Sequence, residues 1–389
     1  MRLIAGLAML LFVVPGMSMA LAGDKEIGAI EAVLAPGPVD MGLFSADFLK
    51  AVPPDKLEPV LEGIKTTIGP VVAVEPRGGQ SYAVETATHE MLTDIGLDGD
   101  GRIAGLLLHP PLAKSASIDD LLKEFGAVAP QSAYLITRDG APLYASNPDM
   151  ALAVGSAFKL GVLKALKDEI DAGTRHWSDV VMLSAADISF PSGVLQTWPV
   201  GSPLTLHTLA ALMISISDNT AADALLHLVG REAVEAALGV APALTTRELF
   251  TLKADAGLKA RYVAADLMGK RAVLAELETL PLPDIAKVAT PHDQGIEWYI
   301  SPTKLCELIG AVAGLDVVQI NPGVANRSEW ATVAFKGGSE IGVLSLVTAL
   351  TAKDGARYCV SAVWNAPQAI DEGKATGAYG SVVSKLAKG

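Results

Sequence analysis

Three short polar phrases, far apart in the chain, constrain what this sequence can fold into more than any other feature. Ser156-Ala157-Phe158-Lys159 is followed 61 residues later by Ser217-Asp218-Asn219, and Lys336-Gly337-Gly338-Ser339 comes a further 119 residues on. Each sits at the edge of an apolar segment. The first opens a helical pattern, the second ends the apolar helix that starts at Thr205, and the third lies in a strand-like run. A serine and a lysine three residues apart share one helix face, so their side chains can meet. Lysine acts as a base near neutral pH only if its pKa falls from about 10.4 to about 7, which is roughly 4–5 kcal/mol of destabilisation of the ammonium. A dry pocket holding a second cation supplies that, and Lys336 is the candidate for the cation. The fold therefore has to bring a helix start, a helix end and a strand edge to one point.

The rest of the chain can support such a fold. Half of its 389 residues are hydrophobic and 19% are charged, enough apolar material for a large core and a length that favours two domains. Residues 1–22 stand apart: Met1-Arg2 gives a positive start, Leu3 to Val14 an apolar run, and Ala20-Leu21-Ala22 a small-x-small cleavage site. That is the pattern of a secretory signal, so export to a periplasmic or extracellular compartment is expected, with the mature chain beginning near Gly23. The apolar run is too short for a stable membrane span. A formal net charge of −13 without any Lys/Arg cluster argues against nucleic acid and anionic membrane as partners. Cys306 falls in an apolar helical pattern and Cys359 in a strand-like run, so two buried free thiols are expected, although export would permit a disulfide. The six histidines show no paired metal spacing, so neither a metal nor a cofactor is expected, and His176, His207 and His227 are taken as structural.

After the signal, residues 23–112 read as a small α+β domain. Phe44 to Ile68 has helical spacing broken by Pro53-Pro54, and short β-type runs follow at Val71–Val74, Ser81–Thr86, Met91–Ile95 and Arg102–Leu108. Asp98-Gly99-Asp100-Gly101 reads as a hairpin turn between the last two. A helix followed by an antiparallel meander resembles the NTF2-like or cystatin-like layout. His109-Pro110-Pro111 reads as a linker to a second domain, 113–389. There Ser117 caps a helix, Ala133–Thr137 and Pro142–Ala145 form a hairpin around Asp139-Gly140, and strands recur at Trp330–Phe335, Gly342–Ala349 and Arg357–Trp364 before a terminal helix near Thr376–Leu386.

The chemistry written in the three phrases is acyl transfer. A serine hydroxyl is a poor nucleophile until a base takes its proton. Ser156 opens a helix, where its own N–H can face a carbonyl oxygen, and Lys159 is placed to take the proton. Ser217 would relay a proton to the leaving group, Asn219 would hold a substrate amide and steady Lys159, and Lys336 would bind a substrate carboxylate. Gly337 and Gly338 leave room along the strand, and the N–H of Ser339 would complete an oxyanion hole.

From Ala133 onward the chain resembles the penicillin-recognising serine hydrolases, most closely the class A β-lactamases. Gly155-Ser156-Ala157-Phe158-Lys159-Leu160 is similar to their first motif, Ser217-Asp218-Asn219 with its flanks to their second, and Lys336-Gly337-Gly338-Ser339 to their third, with Gly337 where Thr or Ser is usual. The resemblance implies an α+β fold, with an antiparallel sheet flanked by helices plus a helical subdomain. It also implies catalytic roles for Ser156, Lys159, Ser217 and Lys336, and substrate contacts for Asn219, Gly338 and Ser339. A small domain ahead of it resembles a two-domain subset with an NTF2-like N-terminal domain.

Two departures matter. Gly337 lacks the hydroxyl that touches a substrate carboxylate, and no ExxLN pattern supplies a deacylating glutamate between the second and third motifs. Glu248, in Thr246-Arg247-Glu248, stands at a tolerable distance but reads better as half of an Arg247–Glu248 ion pair at a helix start. The expected substrate is a β-lactam or a related ester or peptide-like molecule. The alternatives left open are an esterase or D,D-peptidase-type hydrolase with poor β-lactam turnover, and a non-catalytic cell-envelope binding protein. Phe190-Pro191-Ser192-Gly193 and Trp198-Pro199 read as a packed loop rather than a gate, and Ser301 or Thr303 as a helix cap.

Overall fold

A computed structural model of the chain describes residues 24–388 except 79, 110, 279, 289, 293 and 294. The expected export signal lies outside the described residues. The chain divides into two compact units: one runs up to Glu124 and takes in Asp371–Gly389, and the other is Phe125–Ile370.

The first unit begins with a helix at Asp24–Leu34 that the apolar spacing did not suggest. Ser45 then caps the helix Ala46–Ala51 by accepting from Phe48 N at 3.2 Å. Pro54 starts the next helix, Pro54–Ile68, at the position where a missing N–H costs nothing. The meander follows as expected, Val71–Gly78, Ser81–Thr86, His89–Leu97 and Ile103–Leu108, each antiparallel to the one before. The strand Leu112–Ala113 pairs back onto His89 and Glu90. Alternation sorts the sheet: Met91, Thr93, Ile95 and Leu97 are buried while their neighbours are half-exposed. Phe44, Phe48, Leu57, Leu61, Tyr82 and Val84 complete a core belonging to this unit alone. Asp98 ties the hairpin by accepting from Asp100 N and Arg102 N. The helix Glu372–Ala387 closes the chain.

The second unit is built on a five-stranded antiparallel sheet ordered Thr332–Glu340, Val343–Thr351, Arg357–Asn365, Gln131–Arg138, Ala141–Ser146. The expected hairpin and the three late strands are all in it. Thr332–Glu340 has a partner on one side only and so forms an edge. Helices Lys159–Asp171, Leu206–Ser215, Asn219–Val229 and Pro302–Val312 share one apolar core with the sheet, through Leu160, Leu163, Met213, Leu225, Leu305, Ile309, Val347 and Val363. Arg231–Leu238, Thr246–Ala254, Ala256–Ala264 and Leu267–Leu277 extend the helical part.

One expectation is overturned here. Cys306, on the helix Pro302–Val312, and Cys359, on the strand Arg357–Asn365, form a disulfide across a Cα–Cα distance of 5.8 Å rather than standing as free thiols. Each lies on the face of its element that meets the other, and the local patterns that place each cysteine say nothing about that meeting.

Candidate active site

The nucleophile's position is set by backbone before side chains enter. The strand Leu152–Ala153 pairs with Tyr299–Ile300, and Val154 N donates to Trp298 O. Gly155 then turns the chain at φ +50°, a left-handed conformation that glycine adopts without strain. Ser156 lies in the 3₁₀ turn Gly155–Phe158, just ahead of the α-helix Lys159–Asp171. Side chains three apart eclipse one another in a 3₁₀ turn, which brings Lys159 under Ser156 more closely than an α-helix would. Lys159 Nζ donates to Ser156 Oγ at 3.2 Å. The Phe158 ring lies flat on Trp298 at 3.9 Å between centroids, both rings buried, and so pins the turn from below.

Ser217 stands between two helices at φ +58°, a strained conformation for a residue with a Cβ. Asp218 holds it there. One carboxylate oxygen caps the helix Asn219–Val229 by accepting from Ala221 N at 2.9 Å, and the other accepts from Val194 N at 2.7 Å and Leu195 N at 2.9 Å. The 190–195 loop is thereby tied to the second motif. It returns the contact through Ser192, whose hydroxyl donates to Ser217 O at 2.8 Å and whose carbonyl accepts from Asn219 N. Asn219 Nδ2 donates to Phe190 O at 3.1 Å, leaving Oδ1 to accept from Lys159 at 2.6 Å.

The third phrase arrives on the edge strand. Lys336 Nζ donates to Ser217 Oγ at 3.1 Å, and Lys159 Nζ donates to the same oxygen at 3.1 Å and to Ser217 O at 2.5 Å. Gly338 is there because nothing larger fits: a Cβ would lie 2.1 Å from Val154 O and 2.6 Å from Ser156 N. Ser345, on the neighbouring strand, holds that carbonyl from behind by donating to Val154 O at 2.6 Å. Ser339 N lies 3.4 Å from where a Cβ on Gly155 would sit, so the strand runs directly against the nucleophile's turn. Ser156, Lys159, Ser217, Asn219 and Lys336 thus form one hydrogen-bonded cluster, with Gly338 and Ser339 alongside it.

The charges follow from the packing. Burial drives the Lys159 ammonium well below its usual range and the charge of Lys336 pushes it further, while the carboxylates of Asp223 and Asp218 pull the other way. Burial alone brings Lys336 down to about 7. Burial and the charge of Lys336 both weaken the hold of Lys159 on its proton where it faces the Ser156 hydroxyl, the direction a general base requires.

Glu248 is not part of this cluster. It forms a capping box with Thr245, and its carboxylate accepts from Arg231 Nη2 at 2.6 Å and Nη1 at 3.0 Å. The expected partner, Arg247, donates instead to Ile188 O and Leu280 O. The structural role is as expected, and the partner is different. Sequence reasoning passed over Asp223, which is fully buried and accepts from Thr246 N at 2.7 Å, Thr246 Oγ1 at 2.9 Å and Arg247 N at 2.9 Å. It joins the second-motif helix to the helix Thr246–Ala254, and burial raises its pKa to about 6. Its position one turn past Asn219 was the available signal. His207 pairs with Asp316 and His227 with Asp187. In the first unit Asp94 sits between Ser81 and His109, and an aspartate in the middle does not activate a serine. Among the described residues no group of three or more His, Cys, Asp or Glu is gathered for a metal, and no helix is long and apolar enough to cross a membrane.

Residues 113–295 match the model of the beta-lactamase enzyme family. Among solved structures, a β-lactamase from Sphaerobacter thermophilus DSM 20745 is 21% identical, with 70% of this chain and 97% of that chain covered at a TM-score of 0.50. PBP-A is 18% identical over 69% of this chain and 95% of its own, at a TM-score of 0.47. A β-lactamase from Chitinophaga pinensis DSM 2588 is 15% identical over 69% of this chain and 97% of its own, at 0.49. No curated protein matches the chain. At these identities the first of the three speaks for the fold and no further.

Proposed function

We propose that this chain, whose residues 113–295 match the beta-lactamase enzyme family, is a penicillin-recognising serine hydrolase that works through an acyl-enzyme formed on Ser156. Lys159 takes the proton of Ser156 as Oγ bonds to the substrate carbonyl carbon. Charge that builds on the carbonyl oxygen is met by the backbone N–H groups of Ser156 and Ser339. Ser217, bonded to both lysines, passes a proton to the nitrogen or oxygen that departs as the C–N or C–O bond breaks. Asn219 holds Lys159 and the substrate's amide. The observation that carries this reading is the placement of Lys159 Nζ, 3.2 Å from Ser156 Oγ and 3.1 Å from Ser217 Oγ, in a buried site with a second lysine beside it.

The substrate proposed is a β-lactam or a related ester or amide. Slow release of a β-lactam acyl group, and hence an esterase or peptidase role, is favoured by one observation: Glu248 is occupied by Arg231 and Thr245. We also propose that the protein is exported through residues 1–22, that 23–112 is a separate NTF2-like domain, and that the hydrolase domain runs 113–389. The disulfide Cys306–Cys359 supports export, because such bonds persist in oxidising compartments.

The test is incubation with benzylpenicillin and with a chromogenic cephalosporin, following hydrolysis and intact mass. A mass increase equal to the intact β-lactam, mapped to Ser156 and absent in Ser156→Ala, is the expected result. No adduct and no hydrolysis would remove the acyl-enzyme reading. A long-lived adduct with little turnover would favour the esterase or peptidase role.

A further inference from the structure

The edge strand that borders the cleft carries Lys336, Gly337, Gly338 and Ser339, and its antiparallel neighbour sets Val347, Leu346, Ser345 and Leu344 opposite them. That stretch of the neighbour supplies no cation. Gly337 supplies no hydroxyl, and the space beside it is crowded by two apolar side chains and one backbone carbonyl. A Cβ on Gly337 would lie 3.0 Å from Phe335 Cζ and 3.4 Å from Leu346 Cδ2, with Ser345 O at 3.3 Å. The Phe335 ring is lodged there by Gly323, which turns at φ +59° so close beneath it that a Cβ would come within 2.6 Å of Phe335 Cδ2.

The amine that this strand sends to Ser217 is already committed. Lys336 Nζ donates to Ser217 Oγ and to Gly337 O, and its burial disfavours the charged form. A carboxylate is held well by charge-assisted or bidentate hydrogen bonds, and desolvating it against carbon without them is costly. An apolar or uncharged group placed beside Phe335 and Leu346 loses nothing of that kind.

From this we infer that the cleft selects substrates whose leaving group lacks a carboxylate, namely uncharged esters or amides with an apolar flank, and that Phe335 is a specificity-determining residue. The inference rests on the acyl-enzyme reading above and narrows its substrate class.

Matched pairs test it. Benzylpenicillin against its methyl ester, and 3-acetoxybenzoate against its methyl ester, differ in one carboxylate on the departing side. The second-order rate of Ser156 acylation is measured by intact mass for each and normalised to the compound's own rate with hydroxide. The expected result is that the methyl esters acylate at least about tenfold faster, since one pair of charge-assisted bonds is worth that much or more. In Phe335→Ala/Gly337→Thr, which clears the ring and supplies a hydroxyl, the ratio should fall toward one. Equal or faster acylation by the carboxylates in the parent protein overturns the inference and leaves the acyl-enzyme reading standing. An unchanged ratio in the folded double variant removes Phe335 as the determinant. If no member of either pair marks Ser156, both readings fall together.

Discussion

The two buried lysines show how one residue sets the chemistry of another. Lys159 owes its depressed pKa first to burial and second to Lys336, with Asp223 and Asp218 opposing. Removing the second cation as Lys336→Met should let the Lys159 pKa rise, so the acidic limb of the acylation rate against pH should move to higher pH. A limb that stays in place would mean that burial alone holds Lys159. Lys336 also has a stability signature. Its folded-state pKa, about 7, lies below the ordinary 10.5, so the unfolded chain binds more protons between those values. The stability that comes from keeping this amine neutral is full above about 10.5 and is lost as pH falls through about 7. Thermal midpoints of the parent should therefore rise from pH 7 to pH 9 more steeply than those of Lys336→Met. At this scale the sequence was informative. Local spacing accounts for Ser156 meeting Lys159. The meeting with Ser217 and Lys336 is expected from the need for a second cation and from the resemblance of the three phrases to a known motif set. The order of causes was less visible, since burial depends on packing from several elements at once.

At the scale of elements, most strands and caps were legible where the signal is local. Met91–Ile95 and the turn at Asp98–Gly101 follow from alternation and glycine, and Thr205 and Ser301 cap their helices with short-range bonds. Glu248 shows where such reading stops. Its tie to Thr245, three residues back, is a capping box that sequence displays, but its tie to Arg231, 17 residues away, depends on how two helices pack. Arg231 and Glu248 have side-chain exposures of only 17% and 6%, so the pair is largely out of water. Taking one partner away strands the other: Glu248→Ala should cost about 3 kcal/mol in denaturant unfolding. Acylation of Ser156 in the folded protein should be unchanged, because Glu248 touches no member of the cluster. A deacylation rate that collapses while stability holds would reverse this assignment and return Glu248 to the chemistry.

Across the whole molecule, the decisive long-range link is the one the local patterns missed. Periodicity placed Cys306 on the inner face of a helix and Cys359 in a buried strand. It could not show that the helix Pro302–Val312 lies against the strand Arg357–Asn365, where the two sulfurs meet across 53 residues of chain. The enclosed segment contains the edge strand with Lys336, so the crosslink restrains part of the unfolded chain that must form the cleft. Closing a loop of that length in the unfolded state is worth about 4 kcal/mol in the chain-entropy account. For a domain of roughly 150–250 residues each kcal/mol moves the thermal midpoint by about 2–4 °C, so Cys306→Ser/Cys359→Ser should unfold roughly 8–16 °C below the oxidised parent. Reductant should lower the parent toward the double variant and leave the variant where it is. A parent indifferent to reductant, with a variant of equal midpoint, would show that the packing of helix on strand fixes this part of the fold without the bond. The acylation rate at Ser156, measured well below both midpoints, would then separate the crosslink's part in stability from any part in aligning Lys336.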